Sequence, residues 1–208
     1  HEEALDYYLQ VMKRAKDLNT AEKCFLLLHY FDIQWDRVIS RYPLYRRLLE
    51  KQGKVTEPAA VQGALTKYTV QDYLDLQVWF NLAWLDPELR EKDPFLSGLV
   101  KKGHNFSEEE KDELMNRQLS VLAQIIPGHR RLQDEGQIEI ITTAYYHPIL
   151  PLLMDSHVAL RASPGLELPQ RFRFVEDTRA QVKMAARQYV HLFEQRPRGF
   201  WPPEQARS

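Results

Sequence analysis

The chain has 208 residues, with 28 basic and 29 acidic side chains and a net charge of −1. That balance removes any strong electrostatic case for nucleic acid or an anionic membrane as partner. The single cysteine, Cys24, excludes an internal disulfide framework and a cysteine-based zinc cage. It sits beside Phe25 and Leu28, where a small hydrophobe is expected. No apolar run approaches the ~20 residues of a membrane span. Aromatic residues make up 11% of the chain, enough for a substantial core or for flat sugar-stacking surfaces. The chain opens His1-Glu2-Glu3 without a signal-peptide pattern, and it stops at Gln205-Ala206-Arg207-Ser208 directly after a tryptophan–proline cluster. The expectation is an internal fragment of a longer protein, cytoplasmic in location.

Residues 3–18 read as a first helix, with Leu5, Leu9, Met12 and Ala15 or Lys16 on its apolar side. Asn19 can cap a second helix, completed by Glu22 three residues on. That helix carries Cys24, Leu27, Leu28 and Phe31. A short helix begins at Asp32-Ile33-Gln34-Trp35-Asp36 and ends near Arg41. Tyr42-Pro43 starts another, stopped by Gly53. Residues 53–67 are weakly patterned and read as a loop with one short helix. Thr69 and Asp72 cap the next helix, in which Leu74, Val78, Leu82 and Leu85 form a stripe, until Asp86-Pro87 breaks it. Asp93-Pro94 opens a short helix to Val100. Ser107-Glu108-Glu109-Glu110 is a capping box opening a long helix. There Met115, Leu119, Leu122, Ile126 and His129 keep four-three-four-three spacing, and Pro127 is expected to kink or split it.

Gly136 ends that helix and leads into Gln137-Ile138-Glu139-Ile140-Ile141-Thr142-Thr143, a mostly β-branched run suited to a strand. A cluster of Tyr145, Tyr146 and His147 follows, then Pro148 and Pro151. Ser163-Pro164-Gly165 is a turn. Asp177 or Thr178 caps a last long helix with Val182, Ala186, Tyr189 and Phe193 as its buried stripe, widened by Ala185 and Leu192. After Pro197 and Gly199, Phe200-Trp201-Pro202-Pro203-Glu204 reads as a second strand and its loop. The order is a helical stretch over 1–135, then strand, helix and strand over 136–208, which implies a parallel sheet and an α/β class.

Glu139 and Glu204 occupy matching positions on these two expected strands. Parallel α/β proteins bind ligands at the carboxyl ends of their strands. Clustered carboxylates beside aromatic rings suit glycoside chemistry: one attacks the sugar, others hold hydroxyls or donate a proton. Trp201, Tyr145 and Tyr146 offer flat apolar faces. For each carboxylate taken singly, an ion pair with an arginine such as Arg171, Arg173 or Arg198 is the simpler account. The seven histidines show no metal-ligand spacing, His147 and His157 being ten residues apart. The other histidines, His1, His29, His104, His129 and His191, read as surface or helix-face residues. No phosphate loop, dinucleotide fingerprint or nucleophile elbow is present. No metal and no cofactor is expected.

Gly136-Gln137-Ile138-Glu139-Ile140 resembles the second conserved region of glycoside hydrolase family 57, and Gly199-Phe200-Trp201-Pro202-Pro203-Glu204 resembles its third. The likeness extends through Thr142 to Leu153, Asp75 to Trp84, Pro164 to Pro169, Trp35-Asp36 and Tyr42 to Arg46, so it spans nearly the whole chain. That resemblance implies part of an incomplete (β/α)7 barrel with a large helical insertion in the N-terminal half. It implies one catalytic-domain fragment, with 1–135 mainly insertion and 136–208 a strand–helix–strand unit. It implies a retaining hydrolase or transglycosylase acting on α-glucans, such as an α-amylase or amylopullulanase. Glu204 would be the catalytic nucleophile, and Glu139, Trp201 and His147 would bind substrate. The family's first, fourth and fifth regions have no counterpart in the chain. The acid/base is therefore expected outside it, supplied by the remainder of the catalytic domain, and the fragment is expected to be inactive alone. Ala144 stands where the family usually has proline, and Gln205-Ala206-Arg207 replaces a more typical Glu-Gly-Ser. The other reading is a non-catalytic carbohydrate-binding or scaffold paralogue. A metal-dependent polysaccharide deacetylase or α-mannosidase of similar barrel is disfavoured by the lack of a His/Asp ligand pattern.

Overall fold

Capping side chains decide where the helices that open at Thr20, Val70, Pro87, Pro94 and Glu108 begin. The structure, a computed structural model, describes residues 2–54 and 56–206, with the backbone alone at 2–6 and 58–60. It forms two compact units, His1–Val121 and Leu122–Ser208. The first contains α1 (Glu2–Met12), α2 (Thr20–His29), α3 (Pro43–Gln52), α4 (Pro58–Leu65), α5 (Val70–Trp84), α6 (Pro87–Lys92), α7 (Pro94–Lys102) and the start of α8 (Glu108–Asp134). Asn19 with Glu22 and Thr69 with Asp72 form reciprocal capping boxes at α2 and α5. Ser107 and Glu110 do the same at α8. Gly53, at φ 101°, ends α3 in the left-handed conformation that glycine takes without steric cost.

The core of the first unit is built around α5. Leu74, Leu76, Val78, Trp79 and Leu82 are all buried, so the helix is covered on every side. The Trp79 indole nitrogen donates to the Gly103 carbonyl at 3.0 Å, and its ring packs against Tyr42, Tyr45 and Phe106. Asp75 is buried on the same helix. Its carboxylate accepts from the backbone N–H of Asn105 (3.1 Å) and Phe106 (2.9 Å), pinning the loop before α8. Burial pushes the Asp75 pKa up against the pull of these hydrogen bonds.

Several elements differ from the sequence expectation. Helix α1 stops at Met12; Val11 is buried, whereas Leu9 and Met12 are exposed. Leu5 and His1 lie outside the residues whose side chains are described. Residues 32–38 form turns rather than a helix, followed by a 3-10 turn at Ile39–Arg41. Asp86-Pro87 ends α5 and also starts α6, because the Asp86 carboxylate accepts from the Glu88 and Leu89 N–H groups. Helix α8 runs through Pro127 unbroken. Proline removes the hydrogen bond to the Ala123 carbonyl, but that turn is exposed and water can take its place. Leu119, Leu122, Ile125 and Ile126 of α8 are exposed, so only the Met115 end of the expected stripe is buried.

The second unit holds the end of α8, then α9 (Leu150–Met154), α10 (Ala159–Ala162) and α11 (Val175–Phe193). Helix α11 begins before Asp177, with Phe174 as its uncapped N-cap residue. Thr178 instead donates its hydroxyl back to the Phe174 carbonyl. Ala185, Tyr189 and Phe193 are buried, while Val182 is exposed. The two expected strands, within 137–143 and 200–204, are not formed. Among the described residues they reduce to one isolated parallel bridge, Thr142 to Phe200. Two extended segments with no further neighbours have little to hold a ladder together. The described residues are therefore mostly helical and do not themselves form a barrel.

One buried charge joins α5, α8 and the turn after α1 in the first unit. Lys111 is 1% exposed. Its ammonium contacts Glu108 Oε2 at 2.7 Å and donates to the Lys13 carbonyl (2.7 Å) and to Gln77 Oε1 (3.1 Å). Lys111→Met strands the half-buried Glu108 carboxylate and is expected to cost about 3–5 kcal/mol. Adding Glu108→Gln should recover part of that loss. Urea denaturation of the two variants, followed by far-UV circular dichroism, measures both effects.

Candidate functional site

Two chain segments meet at the Thr142–Phe200 bridge, and α8 and α11 position the first of them. Gly136, at φ 72°, terminates α8 in a Schellman turn. Its N–H donates to the Gln133 carbonyl at 3.0 Å, and that of Gln137 to the Leu132 carbonyl at 2.9 Å. The chain then passes Gln133, whose Oε1 accepts from the Ile140 N–H at 3.1 Å. The buried Tyr189 of α11 places its hydroxyl 2.7 Å from the same Gln133 oxygen and 2.9 Å from the Ile140 carbonyl. Side chains thus replace the missing sheet neighbours of Glu139-Ile140-Ile141.

The bridge follows. The Thr142 N–H donates to the Gly199 carbonyl (3.1 Å) and the Trp201 N–H donates to the Thr142 carbonyl (2.8 Å). The Thr143 hydroxyl donates to the Trp201 carbonyl at 2.9 Å. Gly199 is the point of closest approach. A Cβ there would lie 2.5 Å from Ile141 Cγ2 and 3.3 Å from Ile141 Cβ, so only glycine leaves Ile141 undisturbed. Beyond the bridge, the Tyr145 N–H donates to the Gln181 carbonyl at 3.4 Å and the Tyr146 N–H to Gln181 Oε1 at 2.8 Å, both on α11.

The register separates the two carboxylates. Glu139 lies three residues before Thr142, whereas Glu204 lies four residues after Phe200. They do not occupy matching positions; Glu139 flanks the amino side of the bridge and Glu204 the carboxyl side. Glu139 lines a cavity of about 260 Å³ together with Gln133, Tyr189, Arg196 and Arg198. Its Oε1 comes within 3.8 Å of the position of a Gly199 Cβ. Glu204, Trp201 and His147 lie outside this cavity. Trp201 is 48% exposed, and its peptide group is fixed by Thr142 and Thr143. His147 and Glu204 are both exposed.

Left-handed backbone at non-glycine residues occurs on this carboxyl side and also at Lys54, Asn105 and Glu194. His147 (φ 57°), Glu204 (φ 54°) and Gln205 (φ 54°) all adopt left-handed conformations that side chains other than glycine seldom take. Such positions persist only where the surroundings impose them, and they concentrate at functional sites. Neither Glu139 nor Glu204 has an ion pair among the described residues. The arginines offered as their partners are engaged elsewhere or open: Arg171 and Arg173 both pair with Asp155, and Arg198 lines the Glu139 cavity. The Arg171 hydrogen bonds hold the Asp155 carboxyl well below the usual carboxylate range. Arg130 likewise lowers the pKa of Glu194 just after α11. Among the described residues no group of three or more histidine, cysteine or acidic side chains is arranged to hold a metal ion. No helix among them is long and apolar enough to cross a membrane.

The supporting residues Gln133 and Gln181 carry no signal in the sequence. Tyr189 does carry one: it stands on the apolar stripe of α11, and a buried tyrosine hydroxyl requires a partner.

Comparison with known proteins gives one match. The family model described as glycosyl hydrolase family 57 covers residues 1–208. No curated protein and no solved structure matches the chain.

Gly199→Ala is expected to push Ile141 aside and open the bridge, at a cost of about 1–3 kcal/mol. Hydrogen exchange at the Thr142 and Trp201 amides reports the loss. Ile141 is 45% exposed, so Ile141→Ala alone should cost little, and combined with Gly199→Ala it should restore most of the protection.

Proposed function

The chain belongs to glycosyl hydrolase family 57, and from that membership we propose that it forms part of a retaining α-glucan hydrolase or transglycosylase with Glu204 as nucleophile. The observation that carries this reading is the parallel pairing of Thr142 with Phe200. A parallel pair with α11 between its two segments is the connection expected of a strand–helix–strand unit. On this reading residues 136–208 supply one such unit of an incomplete (β/α)7 barrel, and residues 1–135 are its helical insertion. The carboxyl side of the pair is where such barrels place their chemistry. Trp201, Glu204 and His147 all follow the bridge on that side.

In the proposed reaction a Glu204 carboxylate oxygen bonds to the anomeric carbon as the glycosidic bond breaks. The departing oxygen takes a proton from an acid that the family resemblance places outside these 208 residues. Water or a sugar hydroxyl then attacks the glycosyl–enzyme ester, gives up its proton to the same group and releases the Glu204 carboxylate. The exposed Trp201 ring offers a face on which a pyranose can stack. His147 contributes a hydrogen bond to a sugar hydroxyl. Glu139 accepts from sugar hydroxyls on the amino side of the pair, away from the scissile bond. Glu204 itself is exposed, so its carboxylate is open to a substrate.

Two variants and the 208-residue chain alone test it. In the catalytic domain completed by its acid/base, Glu204→Gln should lower turnover on pullulan or starch roughly 10⁴-fold or more while leaving oligosaccharide binding largely intact. Glu204→Gly should be equally inactive yet more stable by about 1 kcal/mol, because glycine takes φ 54° without strain. Turnover near the unmodified level in either variant removes Glu204 from the mechanism and favours the non-catalytic alternative for this segment. The 208-residue chain alone is expected to release no reducing sugar. Release that disappears with Glu204→Gln would place the acid inside the chain.

A further inference from the structure

The first unit carries a groove that the proposed chemistry does not use. It has a volume of about 890 Å³ and lies between the turns after α2 and the α5–α6 junction. Open ligand clefts commonly span about 300–1,000 Å³. Its most conspicuous lining residue is Trp84, on the last turn of α5, which is 58% exposed. Trp79, one and a half turns earlier, is 1% exposed and forms part of the core. Trp84 is not loose. Its ring meets Phe80 edge to face at a centroid distance of 6.5 Å. Phe80 stacks on the buried Tyr30 at 4.4 Å, and Tyr30 is fixed by a 2.9 Å hydrogen bond from its hydroxyl to the Tyr7 carbonyl. An apolar plate is thus held in the open by a rigid aromatic stack.

The polar groups around the groove are mixed in sign. Asp32, whose Oδ2 already contacts His29 and the Tyr7 hydroxyl, and Asp86 line the same space as Arg37, Arg41 and Arg90. Asp86 spends Oδ1 on capping α6, leaving Oδ2 open. Arg37 and Arg41 have no ion pair among the described residues. Arg90 is held by the Tyr42 hydroxyl, but its buried Nε has no hydrogen-bond partner. A buried donor left unpaired is unfavourable. An anionic ligand would meet the two carboxylates, and a cationic one the three guanidinium groups. A neutral polyhydroxyl ligand satisfies both sets, since each hydroxyl donates to a carboxylate or accepts from a guanidinium. The C–H face of a pyranose carries slight positive charge, which suits the negative face of an indole.

We propose that this groove is a second carbohydrate-binding site, taking a stretch of α-glucan with one sugar ring on Trp84. The glucan class rests on the function proposed above; the groove itself is separate in sequence from the Glu204 segment. It holds a polymer by a section that is not being cleaved. Trp84 contributes the stacking face, and Asp86, Arg41 and Arg90 contribute hydrogen bonds to hydroxyls.

The test is titration of the 208-residue chain with maltoheptaose, followed by amide chemical shifts and calorimetry, with cellohexaose as the β-linked control. The expected result is a set of shifts over residues 32–42 and 83–90 with maltoheptaose and not with cellohexaose. Trp84→Ala should weaken that binding about tenfold or more, and Trp84→Phe should retain most of it. Trp201→Ala and Glu204→Gln should leave the shifts over 32–42 and 83–90 unchanged. Absence of shifts there in the unmodified chain overturns the proposal without recourse to any variant. So does an affinity that ignores Trp84→Ala, or equal binding of cellohexaose. Self-association lost in Trp84→Ala, with no saccharide shifts in the unmodified chain, would make the groove a contact between copies and also overturn it. Glu204 is judged by turnover and this groove by binding, so either can fail alone.

Discussion

The first unit depends on a single buried ammonium group. Lys111 lies at the start of α8 and ties together Glu108 of its own helix, Gln77 of α5 and the chain turning after α1 at Lys13. An unpaired charge in that position would be prohibitive, so every neighbour is committed to it. Gln77 turns its amide nitrogen to the Gln10 and Lys13 carbonyls, and Glu108 Oε1 accepts from the Ala15 N–H. The hub therefore fixes the register of three segments by polar geometry, where an apolar core would fix only their proximity. That geometry accounts for the early end of α1. The Lys13 carbonyl is taken by Lys111 and Gln77 rather than by a next helical turn, and the chain is diverted at Lys13.

The second unit solves a different problem with fewer means. Among the described residues its buried apolar side chains are few: Ala144, Ala185, Tyr189, Phe193 and Pro203. Many larger ones, including Tyr146, Leu166, Phe174 and Trp201, are exposed. What order it has at the bridge comes from directed hydrogen bonds, with Gln133 and Tyr189 on one side and Thr143 on the other. Ile141, suited by its branching to a crowded sheet, is here 45% exposed.

How much of this can be read from the sequence depends on how local the cause is. The capping boxes at Asn19, Thr69 and Ser107, the glycine stops at Gly53 and Gly136 and the Leu74–Leu85 stripe are each written within a few residues, and each stands in the structure. The face of α1 was not readable. Leu9 and Val11 are equally apolar, and the Lys111 hub, almost a hundred residues away, sets which way that helix turns. Asp86-Pro87 carries both a stop and a start, and only the stop was apparent. The strands are the largest difference. Ile138 to Thr143 has the composition of a strand, but a strand exists only through partners, and here the partner contributes one rung. The candidate site shares that fate. Trp201 and Glu204 stand out by residue type, whereas the offset between Glu139 and Glu204 follows from register, which no single segment encodes.

Asp155 shows how such a fold responds to its medium. Its carboxylate is gripped by Arg171 and reached by Arg173, and it fastens the loop over 155–174 across the Ser163-Pro164-Gly165 turn. Because the folded pKa is depressed, the pair contributes fully above the ordinary aspartate range near pH 4. It is lost only as pH falls through the lower, folded value. Mild acid therefore leaves the loop fastened. Ionic strength acts differently, since solvent-facing charges are screened over ~8 Å at physiological salt and over shorter distances as salt rises. Brine, rather than vinegar, weakens this charge pair, while the hydrogen bonds between Ser156 and Phe172 keep the loop closed.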